Sequence, residues 1–303
     1  MKTITKILLL ILFCVSAVDV NAQNFYRSRV SGNWTTPGTW ELSTNNGSTW
    51  QTSTTTYPTS TAGAVTIQST HNVTLPADSV VSIDQLVLAI NSTITLNASS
   101  SMLLKDGAGT DLTMNSGSVI TGSGTLKTDA DGIAIEQTST SCFISTPLRI
   151  GGNTSASNVN SPYRFDLRGT LTVDTLKTLT SSAGSFTFVA KGDVVNKGTI
   201  AGGNSSSAFS MRGSNFVNTG TINVYNFLFD TTTIISGAGD WASAEISINA
   251  SGEVLLGSNV IIKSTTFSIL SGGILNPNTF ILTFNGTLAT RTFRVYGGGL
   301  STS

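Results

Sequence analysis

Two neighbouring stretches of this chain repeat one another at a fixed interval. Phe186-Thr187-Phe188, Gly192 and Val195-Asn196-Lys197-Gly198-Thr199-Ile200 are followed by Phe209-Ser210-Met211, Gly213 and Val217-Asn218-Thr219-Gly220-Thr221-Ile222. Gly198 and Gly220 stand 22 positions apart. The tripeptide Gly-Thr-[Ile/Leu] also occurs at Gly124, Gly169 and Gly286, and Phe267-Ser268-Ile269 with Gly272, Gly273 and Asn276 forms a looser third copy. A repeat this short cannot bury its own apolar face, so it must stack on its neighbours.

What stacks is set by a second pattern. Val65-Thr66-Ile67, Val73-Thr74-Leu75, Val81-Ser82-Ile83, Leu86-Val87-Leu88, Ile94-Thr95-Leu96, Leu112-Thr113-Met114, Leu171-Thr172-Val173 and Ile246-Ser247-Ile248 are short apolar alternations separated by Gly, Asn, Asp or Ser. Period two puts one face in a core and the other in water, and no helical spacing competes with it. Three such strands with short turns fill one coil of about 22 residues. The chain therefore predicts an all-β parallel β-helix, a solenoid of about ten coils over residues 65–303. At 4.8 Å per coil this is a rod on the order of 50 Å long. A β-sandwich also uses short strands but requires no repeating interval. Asn196 and Asn218 are expected to stack at one corner and bond amide to amide.

Composition agrees. Ser, Thr, Asn and Gly supply roughly 140 of the 303 residues, charged residues only 11%, and 16 basic groups balance 16 acidic ones. A neutral, charge-poor surface excludes nucleic-acid binding through a basic face. Lys2 and Lys6 precede the apolar run Ile7 to Val15, and Val20-Asn21-Ala22 supplies small residues for cleavage. Residues 1–22 thus read as a secretory signal peptide, with Gln23 as the mature N-terminus and no membrane-spanning segment after it. The location that follows is extracellular or the outer cell surface. Cys142 is then the only mature cysteine. It cannot form an internal disulfide and reads as a small buried hydrophobe.

Residues 23–64 differ from the rest and hold Trp34, Trp40 and Trp50. An exposed terminal coil needs a cover, so these rings are candidates for an N-terminal Trp-rich cap. The alternative role for them is as ligand-binding platforms for sugar rings, and the cap is preferred because the segment begins the first coil. At the far end Phe280, Leu282, Phe284, Leu288, Phe293 and Val295 keep the last coil apolar. That predicts fraying or end-to-end self-association.

Ser31-Gly32-Asn33-Trp34, Pro37-Gly38-Thr39-Trp40, Val65-Thr66-Ile67 and His71-Asn72-Val73-Thr74-Leu75 resemble the opening of many exported Bacteroidota surface proteins. The pattern is also similar to the start of the eight-glycine extracellular domain, and the later copies resemble adhesin-type repeats. The resemblance implies a right-handed β-helix and export, and it names no substrate. Ser69-Thr70 stands where those proteins often have Asn-Gly. The C-terminal sorting domain they often carry has no counterpart in this chain, which implies an anchor lying outside it.

Titratable groups are sparse. The densest acids are Asp129, Asp131 and Glu136, with Asp106 and Asp111 about one coil earlier. They read first as two solvated Asp-Gly turns, with a Ca²⁺ site and a paired-carboxylate glycosidase or lyase centre as the alternatives. No cofactor other than calcium is suggested, and no residue is assigned as catalytic. The leading expectation is a secreted or cell-surface, non-enzymatic, adhesin-like scaffold whose partners are extracellular glycans or host and cell-surface components. The alternative is a β-helix protein that binds or cleaves extracellular polysaccharide.

Overall fold

The computed structural model describes residues 23–158, 164–181, 186–202, 206–285 and 292–300. The signal segment, Gly286 and Leu288 lie outside the described residues. The described strands form three sheets of 13, 12 and 11 members. Each coil contributes one strand to the first sheet, one to the second and one to the third, as in Ala62–Ile67, Asn72–Leu75 and Val80–Ile83. The result is a right-handed parallel β-solenoid of eleven described coils, which confirms the predicted class.

Strand pairing explains why a period-two sequence stacks. Leu86–Leu88 lies parallel to Ala62–Ile67 on one side and to Leu112–Met114 on the other. Val65, Leu86, Leu112 and Ile135 thereby fall into one inward column, and all four are buried. The intervals between paired residues are not constant. Thr199 pairs with Thr221, 22 positions on, but Val87 pairs with Thr113 and Ile222 with Trp241. Corners absorb the difference, because only the strands are held in register.

The second sheet carries an aromatic column. Phe165, Phe188, Phe209 and Phe227 stack with centroid separations of 5.0, 5.2 and 5.1 Å and interplanar angles of 14°, 9° and 11°. These distances follow the inter-coil spacing, so parallel pairing alone brings the rings into contact. Ile246 interrupts the column before Phe267 and Phe293 resume it. Removing one such ring costs about 3 to 5 kcal/mol.

Asn196 and Asn218 are paired in register and fully buried. Asn196 Nδ2 donates to Asn218 Oδ1 at 2.9 Å, as the corner-stacking reading expects. The third copy departs from it. Asn276 pairs with Leu255 in a column that runs through Ile234 and Asn215, three positions away from the Asn218 column.

The Gly-Thr-[Ile/Leu] tripeptide likewise marks two places, not one. Gly198 and Gly220 precede first-sheet strands, whereas Gly124 and Gly169 precede third-sheet strands. A Cβ on Gly220 would sit 2.0 Å from the carbonyl oxygen of Gly198, and one on Gly213 would sit 2.1 Å from that of Gly192. Both corners bring adjacent backbones too close for any side chain, so the same residue recurs for the same reason at different corners.

The N-terminal segment joins the solenoid. Asn24–Ser28 pairs parallel with Ala62–Ile67, so the first sheet runs across the expected 64/65 junction. Trp40–Ser43 then pairs antiparallel with Asn24–Ser28 and covers that sheet edge. At the opposite end Phe284, Phe293, Val295 and Leu300 are exposed.

One turn carries strain. Thr70, before the second-sheet strand of the first coil, has φ of 65°. A β-branched residue in the left-handed region costs about 1 to 2 kcal/mol, and this is the position where the resembling proteins have glycine. Glycine would relieve that strain while adding disorder to the unfolded chain. Thr70→Gly is therefore expected to raise the unfolding free energy by about 0.5 kcal/mol in urea titrations. A lowered midpoint would mean that the Thr70 hydroxyl bond to the Ser69 carbonyl outweighs the strain.

Candidate functional site

The three tryptophans separate into two roles. Trp34 and Trp40 are completely buried within the same core as Val65, Val73 and Leu75. Their rings meet edge to face at 4.8 Å, and Tyr26 meets Trp40 at 6.5 Å. Both indole N–H groups are used: Trp34 donates to the Pro58 carbonyl at 3.1 Å and Trp40 to the Trp34 carbonyl at 2.7 Å. Neither ring offers a face to a sugar. They form the cap: the two indole bonds, to the Pro58 and Trp34 carbonyls, tie the irregular segment together, and the rings pack it against Val65, Val73 and Leu75 of the first coil. Trp50 is half-buried, and the Arg27 guanidinium lies 4.3 Å over its ring. Arg27 is in turn held by Glu41 at 2.5 Å.

The acidic residues singled out in the sequence are dispersed over turns and a strand. Asp129 accepts from Lys105 at 2.5 Å and Lys127 at 2.7 Å, and these two ammonium groups hold its carboxyl below the usual range. Asp131 accepts the Asn153 backbone N–H at 2.7 Å and the Lys177 ammonium at 2.9 Å, which lower its pKa too. The Asp131-Gly132 pair forms a turn with Gly132 at φ 97°. Glu136 lies mid-strand on the first sheet, paired with Thr113 and Ser157. Among the described residues no three His, Cys, Asp or Glu side chains converge as a metal-holding group.

Asp111 has a different task. It is fully buried, and its carboxylate accepts the N–H of Gly107 at 2.8 Å and of Ala134, one coil on, at 2.7 Å. Burial raises its pKa, against the lowering effect of those two bonds. Asp84 is raised as well, by burial and then by the charge of Asp106. Cys142 is buried, with its thiol directed at the Asn115 and Met114 carbonyls and its pKa pushed up by burial. His71 bonds through Nδ1 to the Ser28 hydroxyl at 2.8 Å, tying the cap to the first turn.

A concave polar surface lies elsewhere, on the outer face of the second sheet. Val189, Ser210 and Leu228 follow one another in its middle outward column. One residue pair further along the strands, Arg168, Lys191, Arg212, Asp230 and Asn249 continue the ladder, each backbone N–H bonding one coil back. A cavity of about 400 Å³ lies here, with Leu228 and the nearly covered Val189 at its base, Arg164 and Thr187 along one side, and Arg212, Asp230 and Asn249 along the other. A second cavity of about 410 Å³ continues from Arg212, Asp230 and Asn249 toward Ser251.

Electrostatics fix the side chains of this groove. Asp166, its side chain only 4% exposed, is met by Lys191 at 2.8 Å, Arg164 at 3.4 Å and Arg168 at 3.6 Å. Arg168 also stacks on Phe143 at 3.4 Å. Asp230 accepts from the Ser210 hydroxyl at 2.6 Å, from Arg212 Nε at 3.1 Å and, through its other oxygen, from Asn249. Arg212 is thus oriented through Nε alone.

No single motif announces this groove. Its trace in the sequence is Phe-x-x-[Arg/Lys/Asp] at Phe165 to Arg168, Phe188 to Lys191, Phe209 to Arg212 and Phe227 to Asp230, a spacing that gains meaning only after the strands are stacked.

The chain matches no protein-family model. No curated protein and no solved structure is similar enough to support an inference.

Two outcomes test this assignment of roles. Trp34→Ala and Trp40→Ala should each lower the unfolding free energy by about 3 to 5 kcal/mol, because each empties a dry ring-sized space. A change under 1 kcal/mol in urea titrations would remove the cap role. Asp84 is raised in the fold, so its ionised form is the one that folding disfavours. The penalty is absent below the unfolded pKa and develops as pH rises through the folded value. Asp84→Asn should therefore stabilise by about 0.5 kcal/mol at neutral pH and change nothing near pH 3, where both side chains are uncharged.

Proposed function

We propose that this chain is an exported, non-enzymatic solenoid scaffold of adhesin type that holds extracellular glycan against its outer face. The observation that carries this reading is the groove of the second sheet. It lies on a surface built from consecutive coils, it is lined by fixed hydrogen-bonding groups, and its floor is apolar. Sugar rings ask for that combination, since each presents C–H faces between rows of hydroxyl groups.

The disposition of carboxylates supports holding over cleavage. Asp129 and Asp131, the acids that the sequence marks as candidates for this chemistry, are each engaged by a lysine at 2.9 Å or less, and their pKa is lowered. A general acid needs a carboxyl kept protonated near neutral pH, and neighbouring cations act in the opposite direction. Export rests on the signal-like residues 1–22, and the surface location rests on the resemblance of the Trp34 to Leu75 region to exported Bacteroidota proteins. No helix among the described residues is long and apolar enough to cross a membrane.

The mature chain from Gln23, applied to an array of extracellular polysaccharides, is expected to be retained by at least one of them without releasing new reducing ends. Release of reducing ends would replace the scaffold reading with an enzymatic one. Absence of retention on every glycan would remove the glycan reading.

A further inference from the structure

We propose that the groove on the second sheet binds an acidic polysaccharide, a chain bearing carboxylate or sulfate groups, with Arg164 and Arg212 as the anion-holding residues. The inference rests on the glycan-holding reading above and adds the charge class and the contacts.

The first argument is charge. Arg164, Arg168, Lys191 and Arg212 lie on or beside the groove, against Asp166 and Asp230. Four cations and two carboxylates leave a local excess of positive charge on a chain whose overall net charge is zero. Asp166 is buried beneath three of those cations, and Asp230 is paired with Arg212 while Ser210 and Asn249 donate to it. Of the charged groups that line the groove itself, two guanidinium groups, Arg164 and Arg212, stand against one carboxylate, Asp230.

The second argument is geometry. Arg212 is anchored through Nε to Asp230 and Ser210, a contact that leaves its Nη1–Nη2 edge out of those bonds. A guanidinium fixed in this way presents the fork that matches a carboxylate or sulfate edge. Arg164 reaches the same cavity from the opposite wall, two coils away and so on the order of 10 Å along the axis. Its Nη2 meets Asp166 at 3.4 Å, and its side chain keeps 29% of its surface open to solvent. Two guanidinium groups at that separation fit acid groups on successive or alternate sugars of one chain lying along the solenoid. Between them the partly exposed Leu228 supplies an apolar floor for a ring face, and Thr187 and Asn249 supply partners for hydroxyl groups. A single-stranded nucleic acid would want aromatic platforms for its bases, and the floor has none.

The test is affinity electrophoresis of the mature chain through gels containing polygalacturonate, chondroitin sulfate or neutral dextran. Retardation by the two acidic polymers and not by dextran is expected, and added salt should weaken it. Arg164→Gln and Arg212→Gln should each weaken retention about tenfold, and Arg212→Lys should recover only part of it because the fork is lost. Lys263→Gln, which breaks a pair with Asp240 outside the groove, should leave retention unchanged. Should an Arg variant fail to fold by circular dichroism, Thr187→Trp fills the groove from an outward strand position without altering charge and should abolish retention. Retardation by dextran as strong as by polygalacturonate, or unaltered retention in the folded Arg212→Gln or Thr187→Trp protein, would overturn the proposal. Binding of dextran alone would overturn it while leaving the glycan-holding reading intact. Retention by none of the three polymers, nor by any arrayed glycan, would overturn both.

Discussion

Every part of this molecule depends on parallel pairing between a strand and its counterpart one coil away. The ladder fixes the axial spacing near 4.8 Å, and that spacing is what lets like side chains touch like. The phenylalanine column, the Asn196–Asn218 bond and the close glycine backbones are consequences of one repeated register. Because each coil contacts only its neighbours, cohesion is a sum of interfaces strung along one continuous core. Such a sum has loose ends. The chain closes the first with Trp34 and Trp40, whose rings are as well buried as any residue in the middle of the rod.

The same register organises the outer surface. An outward position in one coil is followed by an outward position in the next, so a row of chemically related groups emerges from residues 18 to 25 positions apart in sequence, such as Arg212 with Asp230 and Arg149 with Asp174. Buried Asp166 concentrates cations in this way, and Asp230 gathers Ser210 and Arg212 from the coil before it and Asn249 from the coil after. A solenoid can therefore assemble a binding face from residues that no local motif connects.

That property also explains what the sequence revealed and what it concealed. Apolar alternation is local, so Val65-Thr66-Ile67 or Ile246-Ser247-Ile248 declares a strand without reference to anything distant. The repeat near 22 declares stacking, and Asn196 and Asn218 fall 22 apart as a ladder requires. Which sheet a strand joins is harder, because it depends on every corner before it, and corners differ in length. Gly169 and Gly198 share a tripeptide yet sit at different corners, and Asn276 misses the Asn218 column by three residues. The tryptophans posed a question of burial, and only the folded positions of Pro58 and the Trp34 backbone decide that Trp34 and Trp40 face inward. The groove was the least legible feature, since its walls exist only in the stacked register.

The inter-coil hydrogen bonds run along the rod, so a pull on its two ends loads them one after another, as links in a chain. In such a series the least-supported rung governs when the whole gives way. Ile144 with Leu167 in the second sheet and Trp241 with Ile262 in the first are rungs of a single paired position, whereas the other rungs of the same sheets beside them hold two to four. The interruption of the aromatic column at Ile246 falls in the same coil as Trp241. Axial tension would thus open the rod at particular seams while the coils between them stayed folded, so extension would proceed in steps and each intact block would remain able to close again when the load is released.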